Sequence, residues 1–282
     1  MSLQDPFDRW LAQAEQRYLA DLTRPELGRA LRALTSCYIE RRNKLGSGHA
    51  LDGRGKRAAF ALYYAPLHFL TVREIAREQA LRPVPNRTAF AFGAAGPNLT
   101  QPDPTASSVV LDVGCGTGAA GAAWALATGA EVRGTDVNTW AVAEAEWTYR
   151  ALGLRGSARR GDVSSLRLPS RPSTVLAAFV VNELPASDRA AALDRLIEAA
   201  RLGHQVVVVE PISRKLTPWW GEWERVFQPW GGRTSEWRFR VELPRLLCDL
   251  DKSAGLDHRE LTARTLMAGA SQKSSCRGQP ES

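Results

Sequence analysis

The residues best suited to chemistry are Asp112-Val113-Gly114-Cys115-Gly116-Thr117-Gly118, preceded by Val109-Val110-Leu111 and followed by the small-residue run Ala119 to Ala127. An apolar, β-branched run reads as a buried strand, and the run after the glycines reads as a helix. Glycine serves two needs in such a loop. It lets the chain reverse at positive φ, and it lets a ligand approach backbone N–H groups with no Cβ in the way. Asp136 ends the next apolar run, Ala130 to Thr135, 18 residues beyond Gly118. A carboxylate about 20 residues past such glycines accepts the two hydroxyls of a ribose in mononucleotide-binding units. The chemistry implied is the binding of a nucleoside-containing cofactor. The dinucleotide fingerprint places its last glycine three residues after the second, whereas Gly118 follows Gly116 by two. No Gly-Lys-Ser/Thr ending follows, so the phosphate-loop pattern does not fit either.

An alternating α/β unit must position these groups. The pattern predicts strands over 108–113, 131–135, 157–160, 173–181 and 205–209, with helices over 119–128 and 139–152 and a helix capped by Ser187-Asp188. The fourth and fifth strands are continuous apolar runs, as expected when both faces of a parallel sheet carry helices. A last helix over 244–254 leads to a strand within 257–267. The expected fold is α/β, a Rossmann-like, mostly parallel sheet with helices on both faces, plus an N-terminal helical region. The expected divisions are 1–80 (helical), 81–107 (a proline- and glycine-rich linker), 108–267 (the α/β domain) and 268–282 (a polar tail of disordered composition). Ligands of open parallel sheets sit outside the carboxyl ends of the strands. That rule brings Asn182 and Glu183, after strand four, and Glu210, after strand five, toward the chemistry.

Ahead of the α/β unit, Asp5 to about Lys44 reads as two helices, with Leu27, Leu31, Leu34 and Tyr38 on one face of the second. A long apolar helix from Lys56 carries Tyr63, Tyr64 and His68 around Pro66, which should kink or divide it. Polar-tipped groups at such a bend reach a cleft or form core hydrogen bonds, and the core reading is preferred here. Residues 212–240 hold five of the nine tryptophans, interleaved with six basic residues. Indole and guanidinium groups could stack on RNA, or the indoles could pack as a lid; the two readings stand side by side.

The net charge is +7, yet only five of the 37 basic residues are lysines, so the arginine excess alone demands no acidic partner. Four cysteines, Cys37, Cys115, Cys248 and Cys276, show no CxxC spacing, which suggests a reduced protein without a structural metal. No apolar run approaches a membrane span of about 20 residues, and the polar start is no signal peptide. Cytoplasmic location is the expectation.

The segment Asp112 to Gly118 resembles the first motif of the class I S-adenosylmethionine-dependent methyltransferases, whose acid and glycines hold the methionine part of the cofactor. The resemblance covers about residues 108–267. It implies a cofactor set of Asp112, Gly114, Cys115, Gly116, Gly118, Asp136, Val137, Asp162, Val163 and Asn182, with Asp162 at the end of strand three meeting the adenine amino group. The helix Tyr63-Tyr-Ala-Pro-Leu-His-Phe69, Asn182-Glu183-Leu184 and Val209-Glu210-Pro211 are also similar to bacterial relatives of the mitochondrial small-ribosomal-subunit methyltransferase family. The cysteine cluster that this family uses for metal is absent.

Methylation of exocyclic base amines in related enzymes uses Asn/Asp-Pro-Pro-aromatic after strand four, where this chain has Asn182-Glu183-Leu184-Pro185. Pyrimidine carbon-5 methylation needs a cysteine nucleophile, which strands four and five do not supply. Methyl transfer to oxygen or nitrogen remains, with Glu183, Glu210 or His68 as candidate bases, Glu183 first. The acceptor is open between RNA and a small molecule. The alternative function is a non-catalytic ribosome-assembly factor that binds the cofactor without turnover.

Overall fold

The computed structural model describes residues 5–40, 51–81 and 108–269. Of the expected linker (81–107), Leu81 instead closes the last N-terminal helix and the rest lies outside the described residues, as do Arg41 and Arg42; of the expected tail (268–282), Ala268 instead closes the last strand, and residues from 270 lie outside them. Seven strands form one sheet in the order β3-β2-β1-β4-β5-β7-β6. They are β1 (Val109–Val113), β2 (Glu131–Asp136), β3 (Gly156–Arg160), β4 (Thr174–Ala178), β5 (Gln205–Glu210), β6 (Arg233–Phe239) and β7 (Leu261–Ala268). The first five are parallel; β7 runs antiparallel to both β5 and β6. The expected Rossmann-like sheet is present. The chain leaves β1 toward β2 and β3, then crosses to β4 on the other side of β1. The order therefore reverses between β1 and β4, where a crevice opens at the carboxyl ends.

Strand alternation distributes two cores. From β1, Val110 joins the core beneath α5 (Ala119–Thr128) and α6 (Thr139–Ala151), while Leu111 and Val113 join the opposite core under α7 (Ala186–Arg201) and α8 (Trp220–Phe227). The N-terminal helices α1 (Pro6–Leu19), α2 (Arg24–Glu40), α3 (Arg54–Ala59) and α4 (Ala65–Leu81) share the first cluster with α5, α6 and α9 (Arg245–Ala254). Helix α5 packs closely because its buried residues are alanines and a glycine, apart from Trp124.

The apolar helix runs through Pro66 in helical conformation, with a π-helical turn just ahead of it. One π-helical turn, Phe60–Tyr64, joins α3 to α4, and the Ala65 N–H donates to the Phe60 carbonyl five residues back. The widened turn falls immediately before the proline, whose ring cannot fit a regular i−4 ladder. Tyr63 points away from the sheet crevice; its hydroxyl donates to Asp251, which also accepts from the backbone N–H of His258 at 2.7 Å. That is the core hydrogen-bonding role expected of it.

Two elements in the tryptophan-rich segment were not among the predicted ones. Helix α8 buries Trp220, Trp223 and Phe227, and β6 alternates Trp237 inward between exposed neighbours. Trp219, Trp220, Trp223 and Trp237 are all buried, and Trp237 donates to the Thr265 hydroxyl at 2.9 Å. Four of the five indoles are thus packed, so they offer no stacking platform to RNA. Helix α7 starts one residue ahead of the expected Ser187-Asp188 cap. Pro185 occupies the N-cap, and both polar residues fall in the first turn. No helix among the described residues is long and apolar enough to cross a membrane.

Candidate active site

A cleft of about 410 Å³ opens at the β1/β4 reversal, lined by the loops that leave β1, β2, β3 and β4. Its floor is the glycine loop. Gly114, Gly116 and Gly118 all have positive φ, at +65°, +51° and +76°. The loop is fastened from two sides. Cys115 N–H donates to the Thr135 carbonyl at 3.0 Å, and Gly116 N–H donates to Asp136 Oδ2 at 2.9 Å. Asp136 Oδ1 accepts from Asn138 N–H at 2.8 Å. The Asn138 and Gly116 amides and, least, that of Val137 use only part of the four acceptor sites of a carboxylate, so Asp136 retains capacity for a ligand's hydroxyls. Burial raises its pKa, and the hydrogen bonds from Asn138, Gly116 and Val137 oppose that rise.

Beyond Asp136, Val137 lines the cleft as an apolar side chain 56% exposed. Asp162 and Val163 follow at the end of β3. Hydrogen bonds from Ser164 Oγ at 2.6 Å and from Ser165 N–H at 2.9 Å hold the Asp162 carboxyl below its ordinary pKa. Cys115 also lines the cleft; burial pushes its thiol pKa up, so it stays protonated.

Four expected site residues do not line this cleft. Asp112 is 1% exposed beneath the loop, where Oδ2 accepts from Gly121 N–H at 3.0 Å. It therefore props the start of α5 and acts on a ligand only through the loop. Gly118 caps α5 from behind the loop, and a Cβ there would lie 2.7 Å from the Tyr149 ring. Glu210 is fully buried and accepts from Asn182, at 3.2 Å from the backbone N–H and 2.5 Å from Nδ2. That pairing occupies both residues in tying β5 to the turn after β4. Glu210 is removed from the candidate bases, since a base must come within hydrogen-bond reach of its substrate.

Burial without a cation raises the Asp112 carboxyl to about 7. In the unfolded chain it returns to its ordinary value near 3.9, so between about pH 4 and pH 7 the folded protein binds the extra proton. Stability from this group is complete below that window and is lost as pH rises through it, at no more than about 1.4 kcal/mol per pH unit. Asp112→Asn keeps an acceptor oxygen for Gly121 and removes the titration. In urea unfolding, the variant should gain on the wild type from pH 5 to pH 8; parallel pH profiles would refute the assignment.

The remaining wall is aromatic and was only partly anticipated. His68 comes from α4, Phe60 from the π-helical turn, and Phe179 from the end of β4. His68 stacks on Phe179 with ring centroids 4.0 Å apart and planes 14° from parallel, and it meets Phe60 edge-on at 6.1 Å. Phe179 is the one non-glycine residue with positive φ, at +59°, among the described residues. Such a conformation costs about 1–3 kcal/mol and persists where the surroundings impose it. Here a 2.7 Å bond from its N–H to the Val209 carbonyl and the stack on His68 hold it. Nothing in the sequence signals that backbone. Burial drives the His68 imidazole down to about 3, so it is uncharged at neutral pH.

Charge completes the site. Asp136, Asp162, Glu183 and Asp188 line the cleft, and none of the described lining residues is lysine or arginine, although the chain carries 37 basic residues. Among the described residues no group of His, Cys, Asp or Glu could hold a metal ion.

Residues 110–203, about a third of the chain, match the family model of the methyltransferase domain, a segment that runs from β1 through α7. No curated protein matches the chain significantly. Solved structures with a similar fold include magnesium protoporphyrin IX methyltransferase from Synechocystis PCC 6803 with bound SAM. It is 16% identical with a TM-score of 0.43, over 73% of this chain and 80% of that one. TehB from Haemophilus influenzae is also 16% identical, with a TM-score of 0.39 over 59% of this chain and 58% of that one.

Proposed function

We propose that the chain is an S-adenosylmethionine-dependent methyltransferase acting on an oxygen or nitrogen acceptor. The observation that carries this reading is the cleft's charge. The diphosphate of NAD or ATP would meet four carboxylates and no cation among the described lining residues, an arrangement that repels it. A sulfonium nucleoside with an ammonium group meets matching charge, and the glycines let it approach the loop backbone with no Cβ in the way. The methyltransferase-domain match over residues 110–203 supports the same reading.

Gly114, Cys115, Gly116 and Thr117 would hold the methionine part, Asp136 the ribose hydroxyls, and Val137, Asp162 and Val163 the base. When bound, the cofactor supplies a methyl group already activated by its positive sulfur. The chain's own task is to hold an acceptor in line, exclude water and receive a proton. Glu183 lines the cleft and stands ready for that last role, and His68 lines it as an uncharged hydrogen-bond acceptor. Their presence favours turnover over a binding-only assembly factor, and the packed indoles withdraw the feature that most favoured RNA.

Calorimetry with S-adenosylmethionine, S-adenosylhomocysteine, NAD and ATP tests the reading. Both sulfur nucleosides should bind in the micromolar range, and both phosphate nucleotides about 100-fold more weakly or not at all. NAD or ATP binding as tightly as S-adenosylhomocysteine would overturn the proposal.

A further inference from the structure

The composition of the cleft wall, taken with the proposed cofactor, narrows the acceptor. Asp136 and Asp162 close β2 and β3, on one side of β1; Phe179 closes β4, on the other side, and α4 brings His68 against it. The cleft thus has an acidic nucleoside side and an aromatic side. The glycine loop joins them. The Gly114 Cβ position touches Val180, next to Phe179, and that of Gly116 lies 3.7 Å from the Phe60 ring. Phe60, His68 and Phe179 present ring faces and edges with no lysine or arginine beside them among the described lining residues. Such a wall has nothing to pair with a phosphodiester and much to pack against an aromatic ring. It also favours a neighbouring sulfonium through the ring quadrupoles, which a charged imidazole would spoil. Burial keeps His68 uncharged, leaving one ring nitrogen as an acceptor.

We infer that the acceptor is an uncharged aromatic hydroxyl compound seated against Phe60 and the His68–Phe179 stack, and that the neutral His68 accepts the hydrogen bond of its hydroxyl and so orients the oxygen. The acceptor's oxygen forms a bond to the methyl carbon as the carbon–sulfur bond breaks. The electron pair of that bond stays on sulfur, and the hydroxyl proton passes to water. The inference rests on the cofactor reading above, and the test separates the two.

The full chain, saturated with S-adenosylhomocysteine, is followed by NMR of its histidine rings. The His68 signal is identified by its absence in His68→Phe, which keeps an aromatic ring against Phe179. At least one of 2-naphthol, catechol and 4-nitrophenol should shift the His68 signal saturably, and a ten-nucleotide single-stranded RNA should not. His68→Phe should bind S-adenosylhomocysteine within threefold of wild type, yet transfer labelled methyl to the responding phenol about 100-fold more slowly. A response to RNA and to none of the phenols overturns the acceptor class, as does silence toward all four probes. Transfer by His68→Phe within threefold of wild type overturns the orienting role. Failure of the wild type to bind S-adenosylhomocysteine is a different result and sinks the cofactor reading instead.

Discussion

Asp136→Ala should weaken S-adenosylhomocysteine binding by about three orders of magnitude while leaving the protein folded. Two losses combine. A ribose loses two hydrogen bonds to a carboxylate, each contributing about 1.5–3 kcal/mol. The Gly116 and Asn138 amides also lose the group that fixes them, at 2.9 and 2.8 Å. A net loss of about 4 kcal/mol corresponds to roughly 10³ in affinity. Asp136→Asn retains one acceptor oxygen and should fall between wild type and alanine. Asp162→Ala removes a carboxylate bound mainly to its own turn, through Ser164 and Ser165, and should cost no more than about tenfold. The ordering is the test. Calorimetry giving Asp136→Ala an affinity within threefold of wild type would remove the nucleoside from this end of the cleft.

Elements whose pattern is set by burial on one or both faces were readable from the chain. The apolar runs of β1, β4 and β5 and the alanine-rich α5 fall within a few residues of their expected bounds, since a strand between two helical layers must be apolar throughout. The place of Asp136 was equally legible, since an acid about 20 residues past the glycines was expected beside the loop, and there it accepts from Gly116 N–H. Asp112 and Glu210 show where such reading stops. Sequence position places both near the ligand end of a strand, but side-chain direction and burial decide what a carboxylate touches. One turns under α5 and the other toward Asn182. Helix α8 and β6 carried the right spacings, Trp220, Trp223 and Phe227 on one face and Trp237 alternating inward. The arginines interleaved with the tryptophans fit nucleic-acid stacking as well as they fit a packed amphipathic pattern. Phe179 had no signal at all, since a positive φ at a phenylalanine is imposed by tertiary contacts.

Gly114→Ala should be strongly destabilising, because two separate costs meet at one Cβ. A residue with a side chain at φ +65° costs roughly 1–2 kcal/mol in the left-handed region. The added carbon would also sit 2.2 Å from Val180 Cγ2 and 2.9 Å from Val180 Cβ, an overlap costing about 1–3 kcal/mol more. Gly129 isolates the first cost. Its φ is +71°, yet a Cβ there meets nothing within 4 Å, so Gly129→Ala should cost about 1–2 kcal/mol. In urea unfolding, Gly114→Ala should therefore lie below Gly129→Ala by about the overlap cost. Val180→Ala removes the nearer of the two offending carbons, so the double variant should recover at least ~1 kcal/mol relative to the sum of the single changes. No such recovery appears if the loop can move away from β4. In that case Gly114→Ala and Gly129→Ala would cost the same, and the close apposition of the glycine loop to the turn after β4, on which the whole cleft is built, would not hold in solution.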